Sequence, residues 1–236
     1  MKLAVLIPVY NEAGTLAEVV RRVRAAPFAK EIILVDDGSV DGSREILQRL
    51  HDESLRSDDP LNQLKVFFHP VNQGKGAALK TALSHATGDV MIVQDADLEY
   101  DTKDYPSLLE PIQAGQADVV YGTRFAGGGA HRVLFFWHSM GNQLLTIISN
   151  MLTNLNLSDM EVGYKVFRAE VLKGIELKSQ RFGFEPEITM KLAKKGCRFY
   201  EVPISYHGRT YEEGKKITWK DGVAALYYMI RYRLGD

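Results

Sequence analysis

The chain has 236 residues, of which 45% are hydrophobic and 25% charged, and a formal net charge of -1. These are ordinary globular proportions, which exclude wholesale disorder and a membrane-embedded body. The near-neutral balance excludes a bulk pull toward nucleic acid, so any phosphate must be held by a local cluster. The single cysteine, Cys197, cannot close an internal disulfide, no CxxC or HExxH spacing offers a zinc site, and the six histidines show no ligand spacing.

The opening run Leu3-Ala4-Val5-Leu6-Ile7-Pro8 is too short for a signal peptide or a membrane span. It predicts a buried strand and a protein made and kept in the cytosol. Over the first 125 residues, strands are predicted over 3–8, 31–36, 64–69, 89–94 and 118–122, and helices over 13–26, 41–51, 75–87 and 104–114. Short strands separated by longer helices imply βαβ units, hence an α/β fold with a mostly parallel sheet. Ile32-Ile33-Leu34-Val35 is apolar throughout, as a strand covered on both faces must be. Residues 133–158 then contain no Asp, Glu, Lys or Arg. Their apolar side chains form two helical stripes: Val133, Trp137, Met140, Leu144, Ile147 and Met151, and Leu134, Leu145, Ile148, Leu152 and Leu155. His138, Asn142, Gln143 and Asn150 make the segment too polar for a comfortable transmembrane helix. Helices over 184–195 and 218–232 and a strand over 198–204 complete the chain, without internal repeat or linker.

Ligands of parallel sheets sit at the carboxyl ends of the strands, and three predicted strands end in polar runs: Pro8-Val9-Tyr10-Asn11-Glu12, Asp36-Asp37-Gly38-Ser39 and Asp95-Ala96-Asp97. Two carboxylates two residues apart suit a hard divalent cation, Mg²⁺ or Mn²⁺, that also binds diphosphate oxygens. Such an ion makes a nucleoside diphosphate a competent leaving group. Glu99 is a candidate third ligand or a partner behind the ligands. Each run alone has a bland reading, as solvated loop aspartates or as a turn with helix caps at Ser39 and Asp41. Three polar strand ends together describe a cleft. Gly74-Lys75-Gly76 lacks the GxxxxGK[ST] order and reads as a tight turn, which argues against ATP hydrolysis.

The ordered set Ile7-Pro8-Val9-Tyr10-Asn11-Glu12, Val35-Asp36-Asp37-Gly38-Ser39, Asn72-Gln73-Gly74-Lys75-Gly76-Ala77 and Gln94-Asp95-Ala96-Asp97-Leu98-Glu99 resembles the motifs of the family 2 inverting glycosyltransferases, of GT-A fold. Tyr121-Gly122-Thr123-Arg124-Phe125 and the Arg-Phe-Gly-Phe-Glu-Pro-Glu run at 181–187 extend the likeness over nearly the whole chain. Within the family it looks most like the dolichyl- or polyprenyl-phosphate sugar synthases. The resemblance implies that Pro8, Tyr10, Glu12 and Asp37 hold the nucleoside. It implies that Asp95, Ala96 and Asp97 hold the diphosphate, with Asp95, Asp97 and Glu99 on Mg²⁺ or Mn²⁺, and that Arg124 faces the sugar phosphate or the acceptor phosphate. Asp97 and Arg124 are thus the expected catalytic pair. Residues 1–125 would form the nucleotide-sugar-binding half of one domain and residues 126–236 its acceptor side.

The expected reaction moves a sugar from a nucleotide donor (GDP-mannose, UDP-glucose or a UDP-N-acetylhexosamine) onto a polyprenyl or dolichyl phosphate. A phosphate acceptor is already ionised and needs no strong base; a hydroxyl acceptor would need one, with Glu185 or Glu187 the candidates. Asp159 fits either a residue that orients the acceptor pocket or an arginine, or a turn closing the uncharged segment. Residues 206–216 suit a cationic lid over the diphosphate, with Arg209 and Lys215 as charge partners, or a solvated loop. Segment 131–157, and with it 218–234, fits a peripheral contact with the cytoplasmic face of a membrane or a homodimer contact. A soluble or polysaccharide acceptor and a non-catalytic nucleotide-sugar binding module are the other readings.

Overall fold

The computed structural model describes residues 1–56, 59–127, 132–133, 135–181, 183–210, 212–214 and 219–235. Seven strands form one sheet: β1 (Leu3–Val9), β2 (Lys30–Asp36), β3 (Asn62–Phe68), β4 (Val90–Val93), β5 (Val119–Thr123), β6 (Lys165–Arg168) and β7 (Phe199–Pro203). Eight α-helices flank them: α1 (Leu16–Ala25), α2 (Ser43–Ser54), α3 (Lys75–His85), α4 (Tyr105–Gln113), α5 (Phe136–Thr153), α6 (Ala169–Leu172), α7 (Phe184–Lys194) and α8 (Trp219–Leu234). The strand order is β3-β2-β1-β4-β6-β5-β7, parallel except for β6, which runs antiparallel to both neighbours. The expected α/β architecture is therefore present, and the predicted strands and helices are found with their ends moved by a few residues. β1, β2 and β4 are buried almost without interruption, as strands with helices on both faces must be.

β6 was not expected. Its four residues follow a polar turn, and only antiparallel pairing with β4 and β5 makes them a strand; such pairing between distant segments leaves no local signal. The consequence for function is direct. β1 pairs with β2 on one side and β4 on the other, so chain order reverses between β1 and β4 and opens a crevice at their carboxyl ends. Because β6 is antiparallel, its amino end lies at the carboxyl ends of β4 and β5, with Val166 opposite Ile92 and Lys165 opposite Tyr121. Residues 158–163, which lead into β6, are thereby delivered to the same edge as Asp95.

The two stripes of the uncharged segment separate. Leu145, Ile148, Leu152 and Leu155 pack on the core, whereas Val133, Met140, Leu144 and Ile147 are exposed, with Trp137 at 79% and Met151 at 80%. Leu134 lies outside the described residues. α5 ends at Asn154, whose φ of 58° is the left-handed stop that asparagine tolerates. It packs against α8 and α7.

Candidate active site

Residues 94–97 leave β4 in a turn held from both sides. Gln94 is buried; its side-chain carbonyl accepts from Tyr105 Oη and Tyr164 Oη at 2.8 Å each, and its amide donates to the Asp95 carbonyl at 3.0 Å. Thr15 Oγ1 donates to the Ala96 carbonyl at 2.8 Å, so β1's following loop grips the turn. The two aspartates then meet different cations. Lys75 Nζ lies 2.8 Å from Asp95 Oδ1 and 3.0 Å from Glu185 Oε1. Burial opposes its charge, but Asp95 and Glu185 outweigh that and raise the lysine pKa. Gly74, at φ +98°, and Gly76 both sit against the backbone of residues 179–181, so the Gly-Lys-Gly turn is what lets α3 begin close enough for Lys75 to reach Asp95.

Asp97 Oδ2 accepts from Arg209 Nη2 at 2.7 Å. The same guanidinium donates to Glu12 through Nη1 and lies near Glu99 through Nε, while the Arg209 backbone N–H donates to Glu99 Oε1 at 2.8 Å. Glu99 also accepts from Tyr206 Oη at 3.1 Å. Burial, followed by the charges of Asp95 and Glu99, pushes the Asp97 carboxyl up to about 7 despite the opposing charge of Arg209. A cation at this place would relieve that strain, and hard carboxylate oxygens beside a diphosphate suit Mg²⁺ or Mn²⁺. Among the described residues, no three His, Cys, Asp or Glu side chains converge as a ready metal cage. Asp95 and Asp97 would therefore share such an ion with phosphate oxygens and water, while Glu99 faces the 206–209 segment.

On the β5 side, Arg124 follows the strand and forks onto Asp159, with Nε–Oδ2 at 2.6 Å and Nη2–Oδ1 at 2.7 Å. Nη2 also donates to Asn142 Oδ1 of α5 at 3.2 Å, and the guanidinium lies 5.1 Å over the Tyr206 ring. Burial disfavours this charge, yet Asp159 more than offsets it and the arginine pKa is raised. Asp159 is itself fully buried, so its role is to orient the arginine rather than only to close a turn. The turn is fixed independently. Glu201 of β7 accepts from the Ser158 and Asp159 N–H groups, Thr146 Oγ1 of α5 accepts from Met160 N, and Lys165 Nζ donates to the Met160 and Val162 carbonyls. Gly163 packs so closely on the Asp95 carboxylate that a Cβ there would collide with Oδ2. The Arg124 station and the Asp95 station thus share one wall.

The remaining expected residues fall as follows. Tyr10 is 37% exposed at the end of β1, beside partly buried Pro8 and Glu12. Asp37 is buried, and its oxygens accept from Gln73 N at 3.0 Å and Gly74 N at 2.7 Å, with His69 Nδ1 2.8 Å away. In this structure it anchors the turn that presents Lys75. Lys215 lies outside the described residues. Glu187 is fully buried and accepts from the Lys178 and Ser179 N–H groups and from Lys191 Nζ, so it serves the start of α7. Lys75 and Glu161 were not singled out from sequence for this site. Their signals were a lysine between two glycines and a lone carboxylate between Met160 and Val162.

An open α/β sheet with paired aspartates at its switch point and an arginine across the crevice defines a nucleotide-sugar-dependent transferase class. Residues 4–175 match Glycosyl transferase family 2, and the chain belongs to that family. It is 29% identical, over the full length of both proteins, to the undecaprenyl-phosphate mannosyltransferase of Micrococcus luteus. It is 30% identical over 87% of its length to the glycosyltransferase AglJ of Haloferax volcanii, of which it spans 63%. It is 28% identical over 97% of its length to the low-salt glycan biosynthesis hexosyltransferase Agl6 of the same organism, of which it spans 53%. Among solved structures, glucosyl-3-phosphoglycerate synthase from Mycobacterium tuberculosis superposes with a TM-score of 0.72 at 15% identity, covering the whole chain and 81% of that protein. Complexes of the same enzyme contain Mn²⁺ with UDP-glucose or Mg²⁺ with UDP. The expected GT-A fold and family are thereby established.

Proposed function

We propose that the chain is an inverting hexosyltransferase that moves a sugar from a nucleoside diphosphate onto a polyprenyl phosphate. The observation that carries the acceptor end is the two-sided character of α5. Its inner face supplies Asn142 to Arg124, and its outer face is an exposed apolar stripe through Trp137, Leu144 and Met151. A phosphate at Arg124 with its hydrocarbon running along that stripe matches both halves of a lipid phosphate. The likeness to an undecaprenyl-phosphate mannosyltransferase over the full chain supports the same reading.

In this mechanism Asp95 and Asp97 hold the diphosphate end through Mg²⁺ or Mn²⁺, which when bound neutralises the charge of the departing nucleotide. Tyr10, Pro8 and Glu12 lie on the nucleoside side of the crevice, and Arg209, held by Asp97, Glu12 and Glu99, supplies a positive charge beside the phosphates. Arg124, oriented by Asp159, holds the acceptor phosphate for attack from the face opposite the nucleotide. An ionised phosphate oxygen needs no proton removed, in accord with a cleft whose Glu187 is occupied and whose Glu185 is held by Lys75.

No helix among the described residues is long and apolar enough to cross a membrane. α5, with exposed Val223, Tyr227, Ile230 and Leu234 of α8, would instead lie in the bilayer interface. The deciding experiment incubates the protein with a panel of nucleotide sugars, Mn²⁺ and undecaprenyl phosphate, and partitions the product between solvent phases. Label in the lipid phase that depends on undecaprenyl phosphate is expected. A water-soluble glycoside formed equally without lipid phosphate would overturn the acceptor assignment.

A further inference from the structure

Two buried carboxylate oxygens between Lys75 and Arg124 have no hydrogen-bond partner among the described residues: Glu161 Oε1 and Glu185 Oε2. Native proteins rarely bury an acceptor without a donor, because the group loses its water and gains nothing in return. These two are also next to each other electrostatically. After burial, the charge of Glu185 is the strongest influence raising the Glu161 carboxyl, which is pushed up to about 7. Glu185 itself is 5% exposed and held by Lys75, the lysine that also holds Asp95. Glu161 follows Asp159, the partner of Arg124, by two residues and precedes Gly163, which backs onto Asp95, by two more.

A run of neighbouring charges thus joins the two anion stations: Asp95, Lys75, Glu185, Glu161, Asp159, Arg124. With the reading proposed above, on which this inference rests, diphosphate sits at one end and acceptor phosphate at the other. The group that passes between them is a sugar, which is neutral and rich in hydroxyl donors. Acidic side chains at that place repel either phosphate and accept from hydroxyls. The Glu161 carboxyl, pushed up to about 7, also offers a donor when protonated.

We propose that Glu161 and Glu185 bind hydroxyl groups of the transferred sugar, and that Glu161 is the residue that selects which sugar is accepted. Lys75 fixes Glu185 and leaves one of its oxygens free. Among the described residues Glu161 has no such anchor, and its free oxygen is placed by the 158–163 turn. A single change there alters sugar recognition without touching Asp95, Asp97 or Arg124.

The test uses the full chain and the variants Glu161→Gln and Glu161→Ala. Calorimetry measures binding of UDP and GDP with Mn²⁺, and steady-state kinetics measures kcat/KM for nucleotide sugars and their monodeoxy analogues. Nucleoside diphosphate affinity should stay within about twofold, while kcat/KM for the preferred sugar falls about ten- to a hundredfold, as for a lost hydrogen bond to a charged group. One monodeoxy donor should lose a similar factor with the unaltered protein and no further factor with the variants. The proposal is overturned if diphosphate binding falls as far as donor use does, or if every deoxy penalty persists undiminished in both variants. The deoxy series on the unaltered protein decides the matter even where a variant fails to fold: no single hydroxyl worth tenfold refutes sugar reading here. Failure to bind either nucleoside diphosphate would instead overturn the donor assignment beneath it.

Discussion

Arg209 Nη2 donates to Asp97 Oδ2 at 2.7 Å, while the rest of its guanidinium spans Glu12 and Glu99, so the side chain stands as the resident cation beside Asp97. Burial opposes its charge, but Asp97, Glu12 and Glu99 raise its pKa. A divalent ion arriving at Asp97 competes with that contact. Arg209→Gln should therefore bind Mn²⁺ about tenfold more tightly without nucleotide, the size expected for one competing charge near the surface. Turnover should fall at the same time, because the charge over the departing phosphates is gone. Spin-resonance titration of free Mn²⁺ reads the first effect. Unchanged or weaker metal binding would show that Arg209 and the ion do not share Asp97.

Asp97→Asn removes the charge from the more buried of the two aspartates. We expect a loss of about two or more powers of ten in turnover, the scale of several kcal/mol of charge stabilisation. Excess chelator should abolish transfer by the unaltered protein, and Mn²⁺ or Mg²⁺ should restore it. Near-normal rates in either experiment would remove the metal from the mechanism.

Asp159→Asn leaves Arg124 buried with its charge no longer balanced. Breaking a buried pair from one side costs about 3–5 kcal/mol, which denaturant unfolding would register as a lower midpoint. Arg124→Lys keeps the charge but loses the fork onto Asp159 and Asn142. It should retain most of the stability and lose acceptor affinity, visible as a raised KM for lipid phosphate with the donor KM little changed.

Glu161 links the cleft to pH. Its folded carboxyl stands at about 7 against an ordinary value of 4.5, so the folded state holds a proton over a range where the unfolded chain has released it. The contribution to stability is full below the ordinary value and is lost as pH rises through 7. The natural chain should therefore lose about 2 kcal/mol of stability relative to Glu161→Gln between pH 5 and pH 8. Urea unfolding at the two pH values checks the sign; a natural chain that gains stability relative to the variant as pH rises contradicts the assignment.

The exposed stripe of α5 makes a prediction that separates membrane from partner. Trp137 and Met151 touch little of the core, so Trp137→Glu with Met151→Glu should change stability by only about 0.5 kcal/mol. Vesicle binding should weaken at least tenfold, since each such side chain contributes about 1.5–3 kcal/mol when buried in an apolar phase. Flotation with anionic liposomes reads this. A protein that does not float but sediments as a stable dimer, with the dimer lost in the variant, would assign the stripe to a second copy.

Local pattern was enough for the sheet and its polar strand ends. Short β-branched apolar runs such as Ile32–Val35 fit strands covered on both sides, and their alternation with helices implies a mostly parallel sheet. Polar residues at the ends of β1, β2 and β4 then mark the crevice before any coordinates are known, and the uncharged stretch announces an amphipathic helix. Chain order alone could not decide which of α5's two stripes faces out, because both have helical spacing; the packing of Leu145, Ile148 and Leu152 on the core decides it. Nor does the sequence disclose β6, whose pairing partners lie tens of residues away. That antiparallel strand carries Asp159 to Arg124 and sets Glu161 among the charges beside Asp95. Lys75 likewise reads as part of a turn until α3 is packed. Short-range periodicity determined the scaffold and the polar ends of its strands. The pairing of distant segments, which carries no local imprint, decided which charges meet across the cleft.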